Sequence, residues 1–83
     1  MSIIKYPLAT EKGIRAVESE NKIIFVVEKG ATKEEIKQSI EKMLSTKVVS
    51  VNTQNGPDGE KIAYVRFSNA TPAIDIATKL GMM

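Results

Sequence analysis

Eighty-three residues make room for one domain and one core, not for a cofactor domain beside a substrate domain. At 42% hydrophobic and 27% charged, with a mean hydropathy of -0.13, the chain has the make-up of a soluble folded domain, and its longest apolar run, Ile23 to Val27, is far short of the ~20 residues of a membrane span. Cysteine and histidine are both absent, which excludes disulfides, thiolate chemistry, histidine acid–base catalysis and the usual soft-metal sites, while 12 basic against 10 acidic residues leave a net charge of only +2.

No repeat or linker interrupts the chain, so residues 1–83 read as a single domain, and its start lacks the pattern of a secretion signal. Ser2 to Tyr6 reads as a short strand ahead of Pro7. Thr10 is the expected N-cap of a first helix, with Glu11 where the helix dipole favours an anion. Ile14 and Val17 mark its buried side, Gly13 is expected to weaken it by up to ~1 kcal/mol relative to Ala, and it should end near Glu20-Asn21. Lys22 to Glu28 is a strand without polar alternation, hence central and covered on both faces. Thr32 and Glu35 form a capping box for a second helix, whose stripe is Ile36, Ile40, Met43 and Leu44. Lys47 to Thr53 is a β-branched strand with Val49, Val51 and Thr53 on one face and Val48, Ser50 and Asn52 on the other.

Asn55-Gly56-Pro57-Asp58-Gly59 is concentrated turn chemistry, and Lys61 to Ser68 returns from it as the second strand of an antiparallel hairpin. Ala63, Val65 and Phe67 point one way, with Lys61 on their side; Ile62, Tyr64 and Arg66 point the other. Thr71 is the expected cap of a last helix with Pro72 at its first position, Ala73, Ile76, Ala77 and Leu80 as its stripe and Gly81 as its stop. Met43 belongs to the core, and Met82-Met83 are no more than the chain end. The fold class is α+β: a single antiparallel sheet of three to four strands packed with helices, in the order β-α-β-α-β-β-α.

The basic residues divide by element. Lys33 and Lys37 lie four apart on the second helix, either as a solvated face, with Lys37 pairing with Glu41, or as a nucleic-acid contact. Lys47, Lys61 and Arg66 lie on the hairpin near Asn52 and Tyr64, a set suited to phosphates and sugars; the plainer alternative is a half-buried Tyr64 beside a snorkelling Arg66. Lys5, Thr10, Glu11, Lys12 and Arg15 gather at the amino end, where free helix amides and cations suit a phosphate, although Glu11 opposes one on the cap itself. No carboxylate pair has a base or orienting partner, and no P-loop, GxGxxG, HExxH or EF-hand loop is present, so no enzyme, cofactor, metal or small-molecule substrate is expected.

Glu60 to Phe67 is similar to part of the RNA-recognition-motif signature, with Ile23 to Val27 as its companion strand. It lacks the opening base, the glycine and the first stacking ring, and no fourth strand follows the last helix. A free regulatory dimer of the ACT type would also suit a small α/β chain. An acylphosphatase-like enzyme would need an arginine and asparagine on a glycine-rich phosphate loop, which is absent.

Five blocks carry a more specific likeness: Pro7-Leu8-Ala9-Thr10-Glu11-Lys12, Ala31-Thr32-Lys33-Glu34-Glu35-Ile36-Lys37, Lys47 to Thr53, Lys61 to Phe67, and Ala73-Ile74-Asp75-Ile76-Ala77. In this order they resemble the universal L-twenty-three family of large-subunit ribosomal proteins over nearly the whole chain. The resemblance implies a non-enzymatic, cytoplasmic, ribosome-bound protein. It implies binding to large-subunit ribosomal RNA, mainly its third domain, beside neighbouring ribosomal proteins at the nascent-chain exit tunnel, and a docking platform for the signal recognition particle, with no membrane role. Carried over by position, Thr10, Lys12, Lys33, Lys37, Lys47, Asn52, Thr53, Lys61, Tyr64 and Arg66 become RNA-facing candidates, joined by Lys5 from the amino-end cluster, and Glu11 becomes the protein-docking candidate. The short Gln54–Glu60 turn stands where bacterial members insert a long basic hairpin, and the basic amino-terminal tail of eukaryotic members has no counterpart, so the chain is similar to the compact archaeal type. The modest charge implies that the acids cluster away from the RNA face.

Overall fold

Ile23 to Val27 run through the middle of the molecule, buried on both sides. In the computed structural model, which describes residues 3–56 and 59–82, the elements follow the expected order: β1 (Ile4–Pro7), α1 (Glu11–Glu20), β2 (Lys22–Val27), α2 (Lys33–Leu44), β3 (Val48–Asn55), β4 (Lys61–Phe67) and α3 (Ala73–Lys79). They build an α+β fold around one antiparallel four-stranded sheet of order β1-β2-β4-β3. The amino-terminal strand joins the sheet against β2, which is therefore central. The expected strand included Ser2, which lies outside the described residues, as do Pro57 and Asp58 of the hairpin turn.

Side chains alternate across a strand, and paired residues share a face, so the register assigns two faces. The first carries Ile23, Phe25 and Val27 on β2, opposite Val65, Ala63 and Lys61 on β4. Val51, Thr53 and Asn55 of β3 extend it. The main core forms here, with Ile36 and Ile40 from α2, Ala73, Ile76 and Ala77 from α3, and Val17 from α1. The second face carries Lys22, Ile24 and Val26, opposite Arg66, Tyr64 and Ile62, then Ser50, Asn52 and Gln54. Phe25 is fully buried on the first face, so the companion strand of the RNA-recognition-motif reading offers no ring to stack on.

A bulge changes the expected facing of β3. The register shifts between Val48 and Ser50, leaving Val49 as the extra residue. Val48 therefore joins Val51 in the core, while Val49, expected on the Val51 face, is 56% exposed. The two methionine expectations invert as well: Met43 is 50% exposed, whereas Met82 is buried. The end of α3 explains Met82. Gly81, at φ 78°, donates to the Thr78 carbonyl, and the Met82 amide donates to Ala77, a Schellman closure that turns the Met82 side chain back onto the core.

The helix starts divide in the same way. Thr10 caps α1 by accepting the Gly13 amide, and Thr32 and Glu35 complete the reciprocal capping box of α2. The Glu35 carboxyl is held below the usual carboxylate range, first by the Thr32 backbone amide, then by the Thr32 hydroxyl, with a smaller contribution from Lys61. Thr71 does not cap α3: the N-cap position is Pro72, and the Thr71 hydroxyl meets Thr46 instead. The acceptor comes from Asn21, the left-handed C-cap of α1, whose Oδ1 takes the Ala73 amide at 2.7 Å. Its Nδ2 donates to the carbonyls of Phe67, Ser68 and Thr71, so one side chain joins α1 to the β4–α3 loop. Gly13 also departs from expectation. A Cβ there would meet the Leu8 carbonyl oxygen at 2.1 Å, so the glycine permits the close passage of the chain leading into α1.

Candidate nucleic-acid interface

The second sheet face places the sequence candidates in two groups. Arg66 and Tyr64 alternate with the buried Val65 along β4 and lie opposite Ser50 and Asn52 of β3. Lys22 pairs in register with Arg66 on the same face. Like charges directly across a ladder repel, and only Lys22 has local relief, an ion pair at 3.5 Å between its half-buried side chain and the exposed Glu20. Arg66 is exposed and has no ion-pair partner among the described residues. The strand positions of this face, from Tyr6 through Lys22 to Arg66, include two cations and no acid.

Where the second face meets α1, a hollow of about 340 Å³ opens. Lys12, Arg15, Ala16 and Glu20 of α1 form one wall. Lys22, Ile24, Asn52 and Tyr64 form the floor and the other wall. The Tyr64 hydroxyl donates to Gln54 Oε1 at 2.9 Å, which fixes the ring from its polar end. Lys12 and Arg15 line a second depression with Thr10 and Glu11 at the start of α1. Arg15 and Glu11 are 3.5 Å apart with side chains 75% and 91% exposed, a pairing too solvated to hold either charge from a partner.

The remaining candidates lie elsewhere. Lys61 and Thr53 are on the first face, and Lys61 Nζ donates to the Ala31 carbonyl at 2.6 Å, tying β4 to the approach to α2. Lys33 and Lys37 are on α2, which supplies Ile36 and Ile40 to that same face. The expected partner of Lys37, Glu41, instead accepts the Val48 amide. Lys47 is exposed just before β3, beside Ser68 and Thr71 at one end of the hairpin. Lys5 is the extra residue where the β1–β2 register shifts, and it is exposed on the opposite edge of the sheet. The acids Glu34, Glu35 and Glu41 are on α2, and Glu20 is the acid at the rim of the hollow.

Sequence reasoning passed over Lys22 and Gln54 as site residues. Their signal was parity: Lys22 precedes the apolar run at the position in register with Arg66, and Gln54 follows Asn52 on the same face.

The sequence of residues 2–78 matches the family model for ribosomal protein L23. Over 81 residues, 98% of the chain, it is 43% identical to the large ribosomal subunit protein uL23 of the archaeon Pyrobaculum aerophilum, covering that protein's full length. It is 44% identical over 81 residues to the protein of the same name from Trypanosoma brucei brucei, of which the chain spans about half the length (49%).

Proposed function

Starting from the chain's membership of the ribosomal protein L23 family, structural and non-enzymatic components of the large ribosomal subunit, we propose that it binds large-subunit ribosomal RNA through the second face of its sheet. The observation that supports this most is the absence of acids from the strand positions of that face, where Lys22 and Arg66 stand side by side around Tyr64 and Asn52. A like-charged pair without full neutralisation is relieved by an anion, and a phosphate backbone supplies one. Lys12 and Arg15 add two cations beyond the strands, beside Glu20, the one acid among the described residues lining the hollow. The expected recognition is by phosphate and sugar contacts and by shape, with little reading of base edges.

The finer assignments rest on the same family. The compact archaeal form agrees with the short Gln54–Glu60 connection and with full-length coverage of the Pyrobaculum protein, and a place beside the exit tunnel rests on family membership alone. Docking of the signal recognition particle through Glu11 is supported by its position: it is exposed in the first turn of α1 and lightly held by Arg15. The test is sedimentation. Tagged protein in cell lysate should travel with the large subunit, and Glu11→Lys should keep that association while weakening recovery of the particle on ribosomes. A wild-type protein that stays free of the subunit would reject the rRNA-binding reading. Normal particle recovery with Glu11→Lys would reject the docking role.

A further inference from the structure

The hollow between α1 and the second sheet face has the make-up of a site for a base, not only for a phosphate. Its floor is closed by the buried, apolar Ile24, and the buried Ala16 adds an apolar patch to the α1 wall. One wall is the Tyr64 ring, held in place by its hydroxyl bond to Gln54. The Asn52 side chain, with donor and acceptor side by side, lines the same space and has no hydrogen-bond partner among the described residues. Lys12, Arg15 and Lys22 stand at the rim with one acid, Glu20, 3.5 Å from Lys22. About 340 Å³ is at the small end of ligand sites, ~300–1,000 Å³, and suits one flat heterocycle with its sugar.

Building on the reading that the chain binds ribosomal RNA, we infer that this hollow receives a single unpaired nucleobase, stacked on Tyr64, with Asn52 on its polar edge and the flanking phosphates on Lys12 and Lys22. An unstacked base in an RNA loop or bulge exposes a π-face and a hydrogen-bonding edge together, and this lining offers a partner to both. A wholly electrostatic groove would need neither a fixed ring nor an unpartnered amide above an apolar floor.

The chain contains no tryptophan, so Tyr64→Trp creates a fluorescent reporter in the hollow, and Met43→Trp on α2 serves as a distant control. On titration with transcribed large-subunit rRNA, emission from the Tyr64→Trp protein should be quenched and that from the Met43→Trp protein should not. Tyr64→Ala should weaken binding about tenfold or more, because a stacked base contributes on this scale, while the salt slope stays unchanged because no charge is removed. Tyr64→Phe keeps the stacking ring but loses its bond to Gln54, so it should bind between wild type and Tyr64→Ala. Unchanged affinity for Tyr64→Ala with no quenching at position 64, while wild type still binds, would overturn the base site and leave the RNA-binding face standing. Wild-type protein that does not bind the rRNA would sink both. Thermal unfolding of each variant separates weakened binding from a failure to fold.

Discussion

Asn21 Oδ1 accepts the Ala73 amide at 2.7 Å across 52 residues of chain, so the C-cap residue of one helix also satisfies the first amide of another. Asn suits both tasks. It tolerates the left-handed backbone, here at φ 55°, and its amide offers an acceptor and two donors at once. Asn21→Ala strands the Ala73 amide and the donors' three carbonyls and adds backbone strain. The expected loss is roughly 3 kcal/mol, from ~1–3 kcal/mol for unmet partly buried groups and ~1 kcal/mol or more for the backbone. Asn21→Gly should recover only the backbone part. Urea denaturation of the two variants measures both contributions.

Gly13→Ala tests packing against propensity. In an open helix the change would stabilise by up to ~1 kcal/mol. Here the added methyl lies 2.1 Å from the Leu8 carbonyl oxygen, part of the backbone, so the segment before α1 must move. Overpacking of this kind costs about 1–3 kcal/mol, and the net change should be destabilising. A rise in melting temperature would show that the Leu8 segment yields freely.

The two described methionines should respond in opposite ways to what their sequence positions suggest. Met82→Ala removes a buried side chain and should cost about 2 kcal/mol, while Met43→Ala on the exposed side of α2 should stay within about 0.5 kcal/mol. Chemical denaturation of the pair gives the comparison.

The capping box of α2 gives a pH signature. Because the Glu35 carboxyl is lowered in the folded state, its contribution to stability is fully present above the ordinary carboxylate range and is lost as pH falls through its lowered folded value. Glu35→Gln keeps the shape but not the titration, so the wild-type minus Glu35→Gln difference in stability should be flat near neutrality and shrink on acidification. Melting curves across the acid range check the sign; a difference that grows on acidification would contradict it.

Much of the architecture was legible because local rules and tertiary packing agree. The Ile23–Val27 run declared a central strand, and Thr32 with Glu35 declared a helix start. The misses share a cause: each depends on contacts distant in sequence or on a break in periodicity. Strict alternation through β3 hides the bulge at Val49, and with it the inward turn of Val48. Thr71 has the right chemistry for a cap, but Asn21 reaches Ala73 from another helix. Met82 enters the core only through the closure at Gly81. At the candidate site, the face of Tyr64, Asn52 and Arg66 was readable from parity. Lys61 is as basic as Arg66, and one strand register decides that it meets the Ala31 carbonyl instead of the second face.

The most direct test is the salt dependence of rRNA affinity, measured by filter binding for wild type, for Lys22→Gln with Arg66→Gln, and for Lys33→Gln with Lys37→Gln. If phosphates lie along the second face, the first pair flattens the slope of log affinity against log salt by roughly 0.7–0.9 for each phosphate no longer neutralised, and the α2 pair leaves it near wild type. A slope unaltered by neutralising Lys22 and Arg66, with the α2 pair carrying the loss, would contradict the assignment of that face.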